Sequence, residues 1–495
     1  MATAPPPETV AARSVRVATQ PDPYEQQRRF FDEFAAQEER WRGRTSGYHR
    51  LIEQITRFHV PRGARVLEIG SGSGDLLAAL EPSVGVGVDV SAGMVELARQ
   101  RHPQLRFEQS AGEDLELAET FDYIVLSDLV PFVHDLVALF ERVAAHSHNR
   151  TRVIVNTYSR AWKPFIRLAE LLRLKPPKPL RNWVSPLDIR NLLELAGLEL
   201  VTSETRILFP FRVPVLSSLL NGVLGSIWPI EYLCLTYWAT ARMRTEPLGE
   251  LGVSIVCPCR NEEGHVADLI ERTPELGAAT ELIFVEGGSS DDTRGEIERQ
   301  IGLHPERSIL LVDQPGKGKG DAVRVGFAAA RHEVVMILDG DLSVRPEDLP
   351  KFYTALVEGR GELINGSRLV YDVEPDAMRF LNMLGNRTFS RLVKWITGQQ
   401  VKDTLCGTKV LLRSDYERIA QGREYFGDFD PFGDFDLLFG GARLGLKIID
   451  LPVRYQPRVY GTTNISRWRH GWLLLRMTRF AFWKFRVAPV SHRGR

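Results

Sequence analysis

Short apolar runs that end in glycine-rich or acidic loops recur in both halves of the chain. In the first half, this pattern predicts strands at Arg65–Ile69 and Val84–Val88, with a helix after each. In the second half, it predicts strands at residues 253–257, 281–285 and 334–338. Alternation of strands, loops and helices is typical of mainly parallel α/β sheets. The sequence therefore predicts an α/β fold made of two Rossmann-like domains.

Composition along the chain indicates where the two domains begin and end. The alternating patterns occupy residues 24–243 and 253–487. Residues 244–252 (RTEPLGELG) combine one proline, two glycines and several charges, which predicts a linker. Residues 1–23 are rich in Pro, Ala and Thr and have no apolar core of signal-peptide length, so we expect a disordered lead.

Overall composition and charge narrow the class of protein. Of the 495 residues, 25% are charged and 43% are apolar, which excludes a disordered or fibrous chain. Lys and Arg total 63, as do Asp and Glu, so a neutral chain with no nucleic-acid partner is expected. The four cysteines make no disulfide framework and favour a reduced, cytoplasmic location. The nearest candidate for a membrane span, Pro214–Ala241, is interrupted by Asn221, Pro229 and Glu231, which argues against a span there.

A glycine loop and an acidic residue form the main chemical signal of the first half. GSGSG, Gly70–Gly74, follows a predicted strand, and Asp89 ends the next strand about twenty residues later. Glycines let a ligand approach the backbone closely, and a carboxylate at this spacing suits ribose hydroxyls. The pattern by itself fits S-adenosylmethionine or a nicotinamide dinucleotide, and ordinary loop carboxylates are the alternative without function.

Five segments of the first half together resemble the class I S-adenosylmethionine-dependent methyltransferases. They are LEIGSGSGDLL, GVDVSAGMVELAR, SAGEDLEL, FDYIVLSDLVPFVHD and NWVSPLDIRNLLELAGLEL. Ala111 stands where many relatives carry an aspartate, so the backbone or Glu113 is expected to meet the adenine. Ser127 and Asp128 are expected to line the pocket, and no residue identifies the methyl acceptor. The resemblance implies that the cofactor is bound by Glu68, Gly70, Gly72, Gly74, Asp89 and Glu113.

Loops in the second half carry groups suited to a nucleoside diphosphate and a metal ion. PCRNEE and EGGSSDDT follow two predicted strands, and QPGKGKGDAV supplies lysines at a helix start, where a diphosphate is well bound. The GxxxxGK[ST] spacing of a P-loop is absent. Asp339 and Asp341 stand one residue apart at a strand end, so they can share a divalent cation with substrate phosphates.

These loops resemble the family 2 glycosyltransferases, which have the GT-A fold. The later motifs DTLCGTKVLLR, GDFDLL and PVRYQPRVYGTTNISRWRHG are most similar to polyprenyl-phosphate (dolichol-phosphate) hexose synthases. The resemblance implies that Asp339 and Asp341 bind Mg²⁺ or Mn²⁺ and that the carboxylates of Asp434 and Asp436 are catalytic, with Asp434 as the expected base. A lipid-phosphate or glycan acceptor is implied as well. It also implies that the nucleotide sugar is bound by Pro258, Arg260, Asn261, Glu262, Glu286, Lys317, Lys319, Asp339 and Arg458.

Three hypotheses for the whole chain follow. It is an enzyme that transfers both methyl and glycosyl groups, a glycosyltransferase with a non-catalytic methyltransferase-like binding module, or a membrane-surface scaffold with both folds inactive. The presence of Glu262, Lys317, Asp339 and Asp341 argues against the scaffold.

The C-terminal end has its own charge pattern. Residues 451–495 contain ten Lys or Arg and no acid. If this end is helical, four arginines project from the same side of the helix, within an arc of roughly 100° around its axis. They are Arg469, Arg476, Arg479 and Arg486, and Trp472 and Trp483 lie in the same arc. This predicts peripheral contact with an anionic membrane at its inner face. The alternative is a helix packed on the glycosyltransferase core.

Overall fold

The computed structural model describes most of the chain. Backbone is described for residues 22, 24–172, 182–211, 213, 215–370, 380–425, 433–456, 460 and 467–490. Side chains are described for these residues except 39–45, 380–384, 386 and 467–471. The predicted disordered lead lies outside the described residues, apart from Asp22.

The first sheet has seven strands in the order β3-β2-β1-β4-β5-β7-β6. Its neighbours pair in parallel except β7, which runs antiparallel to both β5 and β6. The strands are β1 Arg65–Ile69, β2 Val84–Asp89, β3 Arg106–Gln109, β4 Phe121–Ser127, β5 Ser147–Tyr158, β6 Leu198–Arg206 and β7 Thr236–Met243.

Eight α-helices accompany this sheet among the described residues. They are α1 Glu25–Ala35, α2 Glu38–His59, α3 Asp75–Ala79, α4 Ala92–Arg101, α5 Leu136–Ala145, α6 Lys163–Leu171, α7 Pro186–Leu195 and α8 Leu216–Gly222. Successive residues of β1 enter separate apolar cores, with Leu67 in one and Val66 in the other. Because successive side chains point to opposite faces of a strand, helices cover both faces of the sheet.

The second sheet also has seven strands, in the order β10-β9-β8-β11-β13-β12-β14. Its neighbours pair in parallel except β13, which runs antiparallel to β11 and β12. The strands are β8 Val253–Cys259, β9 Thr280–Glu286, β10 Ser308–Asp313, β11 Val334–Ile337, β12 Leu363–Ser367, β13 Lys409–Leu412 and β14 Ile448–Pro452.

Eight further α-helices belong to the described part of the second half. They are α9 Val266–Arg272, α10 Thr293–Leu303, α11 Lys319–Ala329, α12 Leu349–Val357, α13 Phe380–Thr397, α14 Arg413–Gln421, α15 Asp434–Arg443 and α16 Arg467–Phe482. Val256 and Ile255 of β8 again enter separate apolar cores. The predicted fold class, two mainly parallel α/β sheets, is confirmed. The domain bounds 24–243 and 253–487 contain these sheets and stay our proposal.

The C-terminal helix α16 divides into a buried and an exposed face. Leu474, Met477 and Ala481 are buried in the apolar core that also contains Val256 of β8, whereas Arg476 and Arg479 are exposed. The prediction that Arg486 shares the exposed arc is wrong. A π-helical turn at residues 483–487 changes the rotation per residue, and Arg486 is buried.

None of the helices in the described ranges has both the length and the apolar character that crossing a bilayer requires. The candidate span of the sequence, Pro214–Ala241, is instead divided between α8, irregular turns and the start of β7.

Candidate functional site

A cleft of about 410 Å³ lies at the carboxyl ends of the central strands of the first sheet. Cavities of about 300–1,000 Å³ are typical of small-molecule sites. Five of the six residues assigned to S-adenosylmethionine line this cleft, whereas Gly74 is not among the lining residues. The five are Glu68, Gly70, Gly72, Asp89 and Glu113.

The glycine loop has left-handed backbone where the sequence requires it. Gly72 has φ of 51°, and no atom lies within 4 Å of the position of a Cβ there, so the loop leaves open space for a ligand. Gly74 also has positive φ, at the start of α3. A Cβ at Gly74 would lie 2.5 Å from the Phe107 ring, so this glycine permits close packing of loop against β3.

Two carboxyl groups, buried Glu68 and half-buried Asp89, line the cleft. Asp89 accepts hydrogen bonds from the backbone N–H groups of Gly72 at 2.9 Å and Ser91 at 3.0 Å, so it holds the loop in place. Glu68 is 2% exposed, and its Oε2 accepts no hydrogen bond within the described part of the chain. Burial raises the pKa of both carboxyls. An orphaned acceptor beside an open glycine loop fits the ammonium and hydroxyl donors of S-adenosylmethionine.

Glu113 is already engaged by the protein. Its carboxylate accepts hydrogen bonds from the N–H groups of His134 at 3.1 Å and Asp135 at 3.0 Å, and from the Tyr24 hydroxyl. Burial, followed by the bond to Glu113, raises the pKa of Tyr24. Glu113 therefore fastens residue 24 to the start of α5 at the edge of the cleft.

Helix α1 packs over the cleft and was not recognised from the sequence. Asp32 accepts hydrogen bonds from the Ser91 hydroxyl at 2.5 Å and the Gly93 N–H at 2.9 Å. Gln27 is buried and donates to the Phe132 carbonyl at 2.7 Å. Tyr24, Gln27 and Phe31 line the cleft. The sequence of α1 contains no cofactor-binding motif, so only its amphipathic pattern could have indicated a helix at this position.

A polar cluster lies where β4 and β5 end. Asp128, with φ of 53°, accepts hydrogen bonds from the Tyr48 hydroxyl at 2.8 Å, Asn156 Nδ2 at 3.1 Å and the Tyr158 hydroxyl at 3.4 Å. Burial and the neighbouring Asp128 raise the pKa of Tyr48 well above its usual value. Asp128 and Ser127 both line the cleft, as the sequence predicted. Tyr48 and Asn156 were missed because they are far from the loop in sequence.

In the second sheet, the loops after β8 and β9 are bonded to each other. Asn261, with φ of 58°, accepts a hydrogen bond from the Ser290 N–H at 2.7 Å. Glu262 is buried and bonds His265 Nδ1 at 2.8 Å. Glu286 accepts hydrogen bonds from the Ser289 and Gly288 N–H groups at 2.6 and 3.1 Å. Burial opposes ionisation of Glu286, but these bonds outweigh it and lower its pKa.

Lys319 lies among acidic residues that the sequence placed in different motifs. It forms an ion pair with Asp339, and a Cβ at Gly407 would collide with both groups. Burial would lower the pKa of Lys319, but Asp339, followed by Asp434, raises it. Asp341 also contributes to this raised pKa and accepts a hydrogen bond from the Ser343 N–H at 3.0 Å.

Asp434 and Asp436 have different surroundings. Asp434 is buried and accepts a hydrogen bond at 2.8 Å from Lys409, which is fully buried and also bonds the Cys406 carbonyl. Asp436 pairs at 2.8 Å with Arg423, whose guanidinium also donates to the Tyr416 hydroxyl on α14. Thus Asp434 joins the cluster around Lys319, whereas Asp436 is bonded to Arg423. Lys409 was missed as a partner, although its motif was recognised.

The remaining residues predicted to bind the nucleotide sugar differ in their exposure to solvent. Pro258 is half-buried in β8, while Arg260 and Lys317 are exposed on loops. Arg458 lies outside the described residues.

The acidic turn after β11 fits a hard divalent cation. Carboxylate oxygens are ligands that Mg²⁺ prefers, and Mg²⁺ uses one or two of them together with phosphate oxygens and water. Within the described part of the chain, no cluster of three or more His, Cys, Asp or Glu could hold a metal. A cation held by Asp339 and Asp341 would therefore take most of its ligands from substrate and water, and Lys319 neutralises part of the charge on Asp339.

Comparison with known proteins agrees with this arrangement. The family model for Glycosyl transferase family 2 matches residues 254–419, and a Methyltransferase domain model matches residues 40–203. The glycosyltransferase AglJ of Haloferax volcanii is 33% identical over 224 residues, which are 45% of this chain and 69% of AglJ. A dolichyl-phosphate hexose transferase of that organism is 29% identical, over 44% of this chain and 89% of the relative.

Other matches are more partial. The chain spans 51% and 38% of the length of two further curated relatives. A solved S-adenosylmethionine-dependent methyltransferase of Thermotoga maritima is 20% identical, covering 43% of this chain and 98% of that one, with a TM-score of 0.36. Because AglJ is covered over more than two thirds of its length, the chain belongs to glycosyl transferase family 2, with a methyltransferase domain preceding its glycosyltransferase domain.

Proposed function

We propose that the chain is a bifunctional enzyme. Its second half transfers a glycosyl group, with inversion, from a nucleoside-diphosphate sugar to a polyprenyl phosphate. Its first half transfers a methyl group from S-adenosylmethionine. The observation that carries the glycosyl-transfer proposal is the cluster in which Lys319 pairs with Asp339 beside the Lys409–Asp434 pair.

The donor is proposed to lie across the loops that follow β8, β9 and β11. Glu286 is held ionised beside these loops and suits the base or ribose. Lys319 begins α11, where free N–H groups and a positive side chain favour a diphosphate. Asp341 and Asp339 would hold Mg²⁺ or Mn²⁺, which when bound neutralises charge on the departing diphosphate.

The proposed acceptor decides whether Asp434 must act as a base. A hydroxyl acceptor has to lose its proton, and Asp434 is the buried carboxylate in the cluster that would accept it. A phosphate acceptor is already anionic, so it attacks without a base. The relatives that are named as dolichyl-phosphate and undecaprenyl-phosphate sugar transferases support the phosphate.

The methyl-transfer proposal is supported by the cleft of the first sheet. Glu68 offers an unsatisfied buried acceptor, and Asp128, which bonds the Tyr48 hydroxyl, provides a second polar group on the lining of the cleft. These groups would orient a nucleophile on the methyl acceptor. If the module is non-catalytic, the chain will bind cofactor or acceptor without turnover.

We also propose that the enzyme works at the inner face of a membrane, in the cytoplasm. The support is the exposed face of α16, with Trp472, Arg476, Arg479 and Trp483.

The full chain tests both activities. Incubation with polyprenyl phosphate, Mg²⁺ and radiolabelled UDP- or GDP-hexoses should give a labelled lipid, and calorimetry should detect S-adenosylmethionine binding. Glycosyl transfer without any binding of S-adenosylmethionine would contradict the proposed methyl transfer by the first half. No labelled lipid with any nucleotide sugar would contradict the proposed acceptor.

A further inference from the structure

The connection between β6 and β7 is far longer than its geometry requires. These strands are antiparallel neighbours, and Arg206 pairs directly with Thr236. Hairpins of this kind are usually closed by about 2–5 residues. Here 29 residues, 207–235, join the two paired ends. We call residues 207–235 the β6–β7 insertion.

The β6–β7 insertion is almost uncharged. Arg212 and Glu231 are the two charged residues in its 29 positions. Long surface connections are normally polar, because they face water. The nearly uncharged composition of the insertion therefore indicates that part of it contacts apolar surroundings rather than water.

Helix α8 within the insertion has an inverted distribution of polar and apolar side chains. Asn221 is buried and bonds both the N–H and the carbonyl of Phe209, at 2.7 and 2.9 Å. Ser217 is also buried and bonds the Phe211 carbonyl at 2.7 Å. On the same helix, Leu219 is 49% exposed, and Val215 just before it is 80% exposed. A helix that faces water places its apolar side chains inward, so α8 is built for apolar surroundings.

Other apolar side chains of the insertion are also exposed. Aromatic and aliphatic residues are exposed at both ends of the segment. The main ones are Phe211, Val215, Leu219, Trp228, Tyr232 and Leu233. Exposed apolar surface on this scale marks a contact with another molecule or with a membrane.

Two neighbouring elements enlarge the surface on either side. The Trp162 indole donates to the Leu233 carbonyl at 2.7 Å, which joins the insertion to α6, where Phe165 is exposed. On the other side, a Cβ at Gly222 would lie 3.0 Å from the Val487 Cα, so α8 packs closely on the chain that follows α16.

Basic residues accompany the apolar ones on both flanks. Arg160 and Arg167 are exposed on or next to α6, and Arg476 and Arg479 are exposed on α16. Residues 467–490 contain no acid, and Glu170 is the one acid in residues 160–172. Insertion of Trp and Leu beside Arg is the arrangement that binds the interfacial region of an anionic bilayer. A partner protein would not require this one sign of charge on both flanks.

We propose that the β6–β7 insertion, flanked by α6 and α16, docks into the headgroup region of an anionic phospholipid bilayer. The proposal deepens the peripheral location suggested above, which rests on α16 alone, and assigns the apolar contact to the methyltransferase half. Arg476 and Arg479 supply a salt-sensitive attraction, whereas the insertion supplies a contact that salt does not screen.

Flotation of the full chain with lipid vesicles tests this division. The wild-type chain should bind vesicles of phosphatidylcholine and phosphatidylglycerol, and a part of that binding should survive about 1 M salt. Leu219→Glu combined with Trp228→Gln should lower the salt-resistant partition by at least about tenfold, because apolar burial is lost and a carboxylate is added. Arg476→Gln with Arg479→Gln should lower only the salt-sensitive part.

A matched control lies in the same half of the chain. Leu195 on α7 is 69% exposed but outside the insertion, so Leu195→Glu should bind as the wild type does. Wild-type binding that vanishes in high salt, or unchanged binding of the Leu219→Glu, Trp228→Gln variant, would overturn the proposal. The proposal would also be overturned if the wild-type chain bound no vesicles but formed a dimer, and the Leu219→Glu, Trp228→Gln variant were monomeric.

Transfer to a water-soluble, short-chain polyprenyl phosphate separates this proposal from the proposed function. The insertion variant should keep that activity, because none of its changes touches the donor cluster. If the wild type lacks the activity yet binds vesicles, the proposed function fails and the docking surface stands.

Discussion

Arg152 of the first sheet and Glu362 beside the second form an ion pair, with 2.6 Å between Nη2 and Oε1. Arg152 is fully buried, and Glu362 also forms an ion pair with Arg242, which is buried as well. Arg242 and Lys447 in turn both pair with Glu199. Two glutamates and three cations thus join the two halves. Burial would raise the pKa of Glu362, but Arg152 and Arg242 outweigh it and lower that pKa.

Loss of the Glu362 charge should destabilise the whole chain. Glu362→Gln would leave Arg152 and Arg242 buried without a full counter-charge, and breaking a buried pair costs about 3–5 kcal/mol. Urea unfolding should report this as a lower midpoint. Glu298→Gln removes an exposed pair with Arg294 and should cost less than about 1 kcal/mol. Equal stability of the two variants would show that the interface does not depend on this charge.

The same residue predicts how stability depends on pH. The pKa of Glu362 is lowered in the folded chain, so its contribution is present above the unfolded value of about 4.3 and is lost as pH falls through the folded value. Glu204, which pairs with Arg206 and Arg486, has a lowered pKa and acts in the same direction. Melting temperatures measured from pH 7 downward should drop below about pH 4.5. In Glu362→Gln the drop should be shallower, and an unchanged profile would contradict the assignment.

Cofactor binding should depend on the orphaned carboxylate of the cleft. Glu68→Gln replaces a buried carboxyl that can ionise against the ammonium group of the cofactor with a neutral amide, a loss of about 1.5–3 kcal/mol, or roughly 10- to 150-fold in affinity for S-adenosylmethionine. Asp89→Ala should weaken binding at least as much, because the glycine loop also loses the hydrogen bond from the Gly72 N–H to this carboxylate. Calorimetry on the full chain measures both. The exposed Glu116 provides the control Glu116→Gln, and the same affinity in all variants would exclude this cleft as the cofactor site.

Glycosyl transfer should require a divalent cation held by Asp341. Asp341→Asn or addition of EDTA should reduce the rate by about 10²–10³-fold, because charge on the leaving diphosphate is no longer neutralised. Asp268 is exposed on α9, and Asp268→Asn should retain the wild-type rate. Full activity in EDTA would remove the metal from the proposal.

Asp434 separates the two kinds of acceptor. Asp434→Asn should abolish transfer to a hydroxyl while nucleotide binding persists, and it should slow transfer to a polyprenyl phosphate far less. The comparison must be made on the same preparation, since the change also leaves Lys409 with a weaker partner. Loss of nucleotide binding would show instead that Asp434 maintains the fold around Lys319.

The sequence predicted the parts of the fold that are encoded locally. β1 spans Arg65–Ile69 as predicted, because its apolar run and the glycine loop that ends it lie within a few residues of each other. The Lys409–Asp434 pair and the Asp128–Tyr48 bond join residues 25 and 80 positions apart, which no local pattern reveals. Arg486 was misjudged because regular helical spacing was assumed through a π-helical turn.

The ion pairs between the two halves also constrain how this gene can change. Glu362 pairs with both Arg152 and Arg242, so an acid at position 362 should occur together with basic residues at positions 152 and 242 among proteins that keep both domains. A glycosyltransferase without the preceding domain is free of that constraint at the equivalent of Glu362. The residues at positions 152, 242 and 362 should therefore differ as a set between proteins that keep both domains and glycosyltransferases that lack the first.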